Sequence, residues 1–400
     1  MTEPTLVDDA RLTANATLTH RGLHIGARLW SPAPTPDAPF RPWRTAAPQG
    51  IQAMVQTLAE RAPQVVLTSV PRNLRAPAPE APGHAEVVGL PTRSPEDLPI
   101  ARTVTTAMTR AREVDVVHVH LHRSGALAAM AAVAAARPAP IVVHLWTSAG
   151  VPLRSGGTAT VRSRLVDALL ESRILATAAA VITPTPRLAE LARRAGCQHV
   201  VILPTPVTSP VDLRDLPPSD GGRMIVSVGP LTARRRPEAL VEALAVQPPD
   251  AELVLVGTGP RRAEVLRTSD RLGLRDRVRI VEDATSWRAV VGWIARADVV
   301  ASAALSGEDS TPALITQALG RPVVMTAVEA MPALVSDGID GHLVAPGDDD
   351  ALTAALRTVL TSPDHAAALG ASARRRAAAA TWATRADRVD EVVSQVLPHH

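Results

Sequence analysis

Three stretches of this sequence place phosphate-binding or hydroxyl-binding groups at the ends of short apolar runs. In MIVSVGPLTARRRPEALVEALA, an apolar run ends at Gly229, and Arg234, Arg235 and Arg236 lead into a helical pattern with Pro237 in its first turn. Guanidinium groups donate paired hydrogen bonds to phosphate oxygens, so a basic loop entering a helix suits a diphosphate. A solvated arginine run at a domain edge is the plainer reading of the same residues. In ELVLVGTGPRR, Gly257 and Gly259 follow a second apolar run, where they either let backbone come close to a ligand or make a tight turn. In ADVVASAALSGEDSTPALITQALGRPVV, the acids Glu308 and Asp309 precede a helix capped by Ser310 or Thr311, with Pro312 just inside. A helix amino end carrying hydroxyls is an anion site.

A fourth stretch, VDVVHVHLHRSG, is a strand pattern of period two. It puts His118, His120 and His122 on one face, and Val117, Val119 and Leu121 on the other. Three same-face histidines are one way to hold a metal. No acidic or thiol cluster accompanies them, so no metal is expected. A hydrogen-bonded structural histidine is the stronger reading of His118.

The elements that must position these groups alternate between short β-branched or Leu-rich runs and Ala-rich amphipathic segments, the signature of βαβ units and a parallel sheet. Strands are expected at 23–29, 64–68, 114–120, 141–145, 180–182 and 200–202, and again at 224–228, 252–256, 278–281, 299–301 and 322–325. Between the two sets, residues 203–223 contain five prolines and a Gly pair, which forbid a continuous helix or strand. The division expected is therefore a first domain over 1–204, a linker over 205–222, a second domain over 223–380, and a C-terminal helix over 381–400 that packs back on the first. Residues 31–50 form a long irregular stretch between the first strand and its helix, which reads equally as a recognition loop or as plain disorder.

A length of 400 residues exceeds the roughly 100–200 of a single domain, and a hydrophobic content of 46% supplies two cores. All 42 basic residues are Arg, but they interleave with 39 acids for a net charge of +3, so no nucleic-acid partner is expected. The single cysteine, Cys197, fits a reduced, cytoplasmic setting. The N-terminus lacks an apolar signal core, and the longest Ala-rich run is far short of the roughly 20 residues that span a bilayer. Peripheral membrane contact is left open.

The order and spacing of the Gly229–Arg loop, VGTGP, LGLRDRVRIVEDA, the acidic loop, ALGRPVVMT and MPALVSDGIDGHLVAPGD resemble the retaining glycosyltransferases of family four. The resemblance implies the GT-B fold: α/β, two Rossmann-like parallel-sheet domains facing across a cleft. In that family the first loop carries Arg and Lys against the donor diphosphate; here those positions are Pro230 and Arg235, with Arg234 or Arg236 as compensation. Gly229, Gly257 and Gly259 would lie near the nucleotide, and Glu282, Asp283 and Ala284 would contact the base. The family's pair of glutamates, with seven residues between them, falls on Gly307 and Ile315 when anchored on Gly320 and Pro322, or on Glu308 and Thr316 when anchored on Glu308. Glu308 would orient the donor sugar, and Thr316 or Gln317 would stand in for the missing ribose-binding acid. The family's two glycines before Met331 are Glu329 and Ala330 here. In the first half, the Asp-x-x-His-x-His pattern makes His120 the residue facing the reacting sugar. The segment PQGIQAM resembles a glycine loop and following helix, in which Gly50 either approaches the donor phosphates or, as economically, simply starts a helix. His122, His144 and Trp146 would line the acceptor side, unless Trp146 merely fills core.

The resemblance implies a hexosyltransferase that moves a sugar, with retention, from a nucleotide-diphosphate sugar to a small-molecule or lipid-linked acceptor, in a role compatible with specialised metabolism. No cofactor beyond that co-substrate and no metal are needed, because guanidinium and helix dipole carry the positive charge. A catalytically silent homologue that binds a nucleotide sugar or supports a partner enzyme is the alternative that the absent second glutamate suggests. A dinucleotide oxidoreductase is weaker, since no Gly-x-Gly-x-x-Gly follows an early strand.

Overall fold

The structure is a computed structural model describing residues 20–25, 36–39, 42–71, 85–92, 100–110, 113–121, 139–146, 161–207, 209, 211–212, 223–306 and 309–397. Two all-parallel sheets organise it. The first contains β1 (Gly22–Ile25), β2 (Gln64–Pro71), β3 (Ala85–Thr92), β4 (Val116–Leu121), β5 (Ile141–Leu145), β6 (Ala180–Thr183) and β7 (Val200–Ile202), in the order β3-β2-β1-β4-β5-β6-β7. The second contains β8 (Arg223–Val228), β9 (Ala251–Val256), β10 (Val278–Val281), β11 (Val299–Ser302), β12 (Val323–Thr326) and β13 (His342–Val344), in the order β10-β9-β8-β11-β12-β13. Strand order reverses between β1 and β4 in the first sheet and between β8 and β11 in the second. Ligands of open α/β sheets bind at such reversals, beyond the carboxyl ends of the strands.

Helices cover both faces of each sheet. In the first domain these include α1 (Pro42–Ala59), α2 (Ile100–Arg110), α3 (Val161–Thr177) and α4 (Pro186–Arg194). The second carries α5 (Pro237–Leu244), α6 (Arg262–Arg271), α7 (Trp287–Arg296), α8 (Thr311–Ala318), α9 (Met331–Leu334), α10 (Asp349–Thr361) and α11 (Pro363–Ala379). The last helix, α12 (Trp382–Val396), returns to the first sheet. Its Ala386, Val389, Val392 and Val393 share a core with Ile51, Met54, Val55 and Leu58 of α1. Arg61 reinforces this seam by pairing with Asp387 and, at 2.8 Å, with Asp390.

Three sequence expectations change here. Helix α1 begins at Pro42, so Gly50 lies inside a helix rather than on a loop reaching for phosphates. The reason is visible in the spacing of Ile51, Met54, Val55 and Leu58, which makes one buried stripe and carries the helix back toward its proline start. Strands β3 and β13 were not expected; both lie at sheet edges. The stretch 31–50 also contains a tether to the other domain. Pro36 and Ala38 accept hydrogen bonds from Arg288 and Trp287 backbone N–H groups, at 2.7 and 3.0 Å, and so satisfy the amino end of α7. The chain leaving β1 thus meets the chain leaving β10, which brings the carboxyl edges of the two sheets together at that point.

Candidate active site

At the reversal in the second sheet, the loops after β8, β9 and β11 are knitted together by backbone. Gly229 N–H donates to Val256 O at 2.9 Å, Leu231 N–H to Thr258 O at 2.8 Å, and Leu305 N–H to Arg234 O at 2.7 Å across the β8/β11 gap. Glycine is needed for this closeness. A Cβ on Gly257 would lie 2.2 Å from Gly229 O, and one on Gly259 would lie 2.3 Å from Leu231 O. The approach these two glycines permit is that of the β8 loop, a role different from the direct ligand approach expected of them. Gly229 has φ +142°, and the Arg235 guanidinium folds over it.

The three arginines separate into three fates. Arg235 is 9% exposed and donates Nη2–H to Val228 O at 2.7 Å, so its guanidinium sits on the carboxyl end of β8. Arg236 takes a left-handed conformation, φ +48°, and forms a bidentate pair with Asp349 at 2.8 and 2.6 Å. Arg234 is exposed and makes no side-chain hydrogen bond or ion pair among the described residues. It is the guanidinium held at the reversal, by its own backbone, with its donors uncommitted.

The start of α8 differs in part from expectation. Ser310 holds the N-cap position as expected, but its side chain makes no capping hydrogen bond; instead Asp309 Oδ1 accepts from Thr311 N–H at 2.8 Å, and Pro312 has no N–H to offer. A carboxylate already occupies this helix end, so it attracts a second anion less than hydroxyls would. Thr316 is wholly buried and donates to Pro312 O at 2.6 Å, and Gln317 donates to Leu334 O at 2.8 Å. Ile315 is a core residue. The three residues near the expected ribose position are therefore turned inward by helix phase and core packing, and ribose recognition by Thr316 or Gln317 is not supported. Gly307 and Glu308 lie outside the described residues. Glu282 is exposed and paired with Arg262 at 3.0 Å, with Asp283 beside it at the end of edge strand β10.

In the first domain, His118 and His120 do share one face of β4, and His122 lies outside the described residues. That face is interior. His120 Nδ1 accepts from Trp146 Nε1 at 3.3 Å, and its Nε2 lies 3.1 Å from His24 Nδ1. His24 Nε2 in turn lies 3.0 Å from Gln64 Oε1. The indole can only donate, so a neutral His120 carries its proton on Nε2, and each link down to Gln64 then has one donor and one acceptor. His118 Nδ1 meets His144 Nε2 at 3.0 Å. The rings of His24 and His118 stack at 4.4 Å, and those of His120 and His144 at 4.5 Å. His120 is 3% exposed and His144 fully buried, so both, with Trp146, belong to the core beneath α12 rather than to a sugar-facing wall. The physical reason is a cover of α1 and α12 over this face, which the strand's own spacing does not reveal. Arg385 closes the group: its guanidinium lies 4.8 Å from the Trp146 ring, bonds Leu203 O and Pro204 O at the domain junction, and is brought down to a pKa of about 9 by burial.

Among the described residues no three His, Cys, Asp or Glu side chains group to hold a metal, and no helix is long and apolar enough to cross a membrane.

Comparison with known proteins places this geometry. The family model described as "Glycosyl transferase 4-like domain" matches residues 45–208, and the one described as "Glycosyl transferases group 1" matches residues 222–362, together more than half of the chain. A relative from Xylanimonas cellulosilytica named D-inositol 3-phosphate glycosyltransferase is 29% identical over 307 residues, covering 70% of this chain and 72% of its own. Alignments with two further relatives of that name span less than half of their length. Among solved structures, Anabaena HepE in complex with UDP superposes with a TM-score of 0.64 at 18% identity, over 94% of this chain and all of the other. Sucrose-phosphate synthase from Thermosynechococcus elongatus also superposes at 0.64, with 20% identity, over 94% of this chain and 99% of the other. With its two parallel-sheet domains and both matched halves, the chain belongs to the family-four type of glycosyltransferases and has their GT-B fold.

Proposed function

We propose that this glycosyltransferase takes a uridine-diphosphate hexose as donor and a small-molecule or lipid-linked hydroxyl compound as acceptor, with retention at the anomeric carbon. The observation that carries the donor reading is the Arg234 loop, stitched to Leu305 at the β8/β11 reversal, with Arg235 on the strand end beside it. Breaking the bond between the anomeric carbon and the diphosphate leaves negative charge on the phosphate oxygens while the sugar gains oxocarbenium character. The Arg234 and Arg235 guanidiniums meet that charge, and no metal is required for it. The base lies toward β10, near Glu282 and Asp283, which leaves the hexose on the β12 side of the reversal. Uridine is the base in the complexes of HepE with UDP and with UDP-glucose, and the relatives' name supports a small polyol phosphate as one acceptor to try first.

The test is a melting scan with UDP and UDP-hexoses. Saturation at about 100 Kd adds roughly 2.7 kcal/mol to the folded state, so the midpoint rises. Arg234→Ala leaves the ligand-free midpoint unchanged, because the side chain is exposed and unpaired, yet weakens UDP binding by about tenfold or more, the loss of a charged hydrogen-bonded pair. Equal UDP affinity in wild type and variant would overturn this assignment of Arg234. Release of UDP from UDP-glucose on adding inositol phosphate, followed by analysis of the product anomer, tests transfer and stereochemistry.

A further inference from the structure

We propose that Glu329 is the carboxylate that binds the hydroxyls of the donor hexose and sets which hexose is accepted. The inference rests on the donor reading above and deepens it.

Glu329 lies just beyond the carboxyl end of β12, the strand next to β11. Thr326 Oγ1 donates to Ala304 O at 2.7 Å, and Leu305, the next residue, donates its N–H to Arg234 O. The turn holding Glu329 is thus tied, through the loop after β11, to the arginine loop after β8. A ligand with its base toward β10 and its diphosphate at the β8/β11 reversal runs along this edge, and its hexose reaches the end of β12.

Two features mark Glu329 itself. Its φ is +46°, and the only other described non-glycine residue with positive φ is Arg236, also at this edge of the sheet. A left-handed backbone is costly for a side chain of this kind, and such strain gathers at functional sites. Its Oε2 is buried and has no hydrogen-bond partner among the described residues. A carboxylate oxygen withdrawn from water accepts sugar hydroxyls strongly, because the bond is charge-assisted. The neighbouring acids are engaged elsewhere: Asp309 with Thr311 N–H, Glu282 with Arg262, Asp349 with Arg236 and Asp340 with Arg376. Ile315, near the expected ribose acid, is buried in the core. Among the described residues, Glu329 is the carboxylate on the hexose side of this edge that remains uncommitted.

The experiment is calorimetric titration of the full chain with UDP and with UDP-glucose, UDP-galactose and UDP-N-acetylglucosamine, for wild type, Glu329→Gln and Glu329→Gly. Both variants are expected to bind UDP within twofold of wild type and to bind the preferred UDP-hexose at least tenfold more weakly, flattening the preference among the three sugars. Glu329→Gly, which relieves the backbone strain, melts no lower than wild type, so a loss of hexose affinity in it is not a loss of structure. Undiminished UDP-hexose affinity in both variants, or a parallel loss of UDP itself, overturns the assignment. If wild-type protein binds neither UDP nor any UDP-hexose, the donor reading fails first and this inference falls with it.

Discussion

Lowering the pH from 7 to 5 is expected to bring the first domain close to unfolding, with a steep fall in its melting temperature between pH 6 and 5. Burial pulls His20 and His24 down to about 4, and holds His118 and His144 well below the ordinary histidine range. Their folded values lie below the roughly 6.5 of an unfolded histidine, so the unfolded chain binds more protons and stability is lost as pH falls through that window. Asp390 works the other way. Burial pushes its carboxyl up to about 6 against the Arg61 charge, so the folded state takes up one proton there as pH drops. The other charged groups around the stack are Arg61, Arg385, Asp115 and Asp387. Burial opposes ionisation of Asp115, but hydrogen bonds from Arg21 keep its carboxyl below the usual range, which adds to acid lability. Four histidines less one aspartate leave about three net protons near pH 5, a slope on the order of 4 kcal/mol per pH unit. Against a typical total of 5–15 kcal/mol, that is decisive within two units. Melting followed by circular dichroism at half-unit steps measures it, and a midpoint that stays flat from pH 7 to 5 contradicts the neutral stack. His118→Gln should remove about one proton from the slope.

The same stack shows where sequence reading ends. Most parallel strands buried on both faces are short apolar runs, so eleven of them could be located from β-branched or Leu-rich runs alternating with helical segments. The strands missed, β3 and β13, are edges. The first contains Gly89 and Pro91, which argue against a strand unless it is an edge that can spare a donor, and the second is only three residues long. The arginine loop was legible because its charges are consecutive. Which guanidinium stays uncommitted was not, since Arg236 is claimed by Asp349, 113 residues away. Period two put His118 and His120 on one face correctly. Whether that face looks at a cleft or at a covering helix depends on α12, and His120's partner His24 is 96 residues distant. Glu329 was visible as an acid where the resemblance leads one to expect glycine; only the structure shows its positive φ and its buried, unpartnered oxygen.

Gly257→Ala is expected to cost roughly 3–5 kcal/mol of stability in the second domain, and to abolish measurable UDP binding in whatever protein still folds. Two costs combine. The residue sits at φ +147°, where an L side chain is strained, and its new Cβ would meet Gly229 O at 2.2 Å and Gly229 C at 2.9 Å. Those are backbone atoms of the β8 loop, so no rotamer change relieves the clash and the loop itself must move. That loop carries Arg234 and Arg235 and is held by Gly229 N–H to Val256 O and Leu231 N–H to Thr258 O, bonds that a displacement breaks together. Gly273→Ala provides the contrast. Gly273 also has positive φ, at +65°, but nothing lies within 4 Å of its missing Cβ. Only backbone strain of about 1 kcal/mol is expected there, with UDP binding intact. Denaturant titration of the two variants separates close approach from conformational strain. Equal losses in both would mean that the loops after β8 and β9 are not locked against one another, and that Arg234 is placed by something other than this glycine contact.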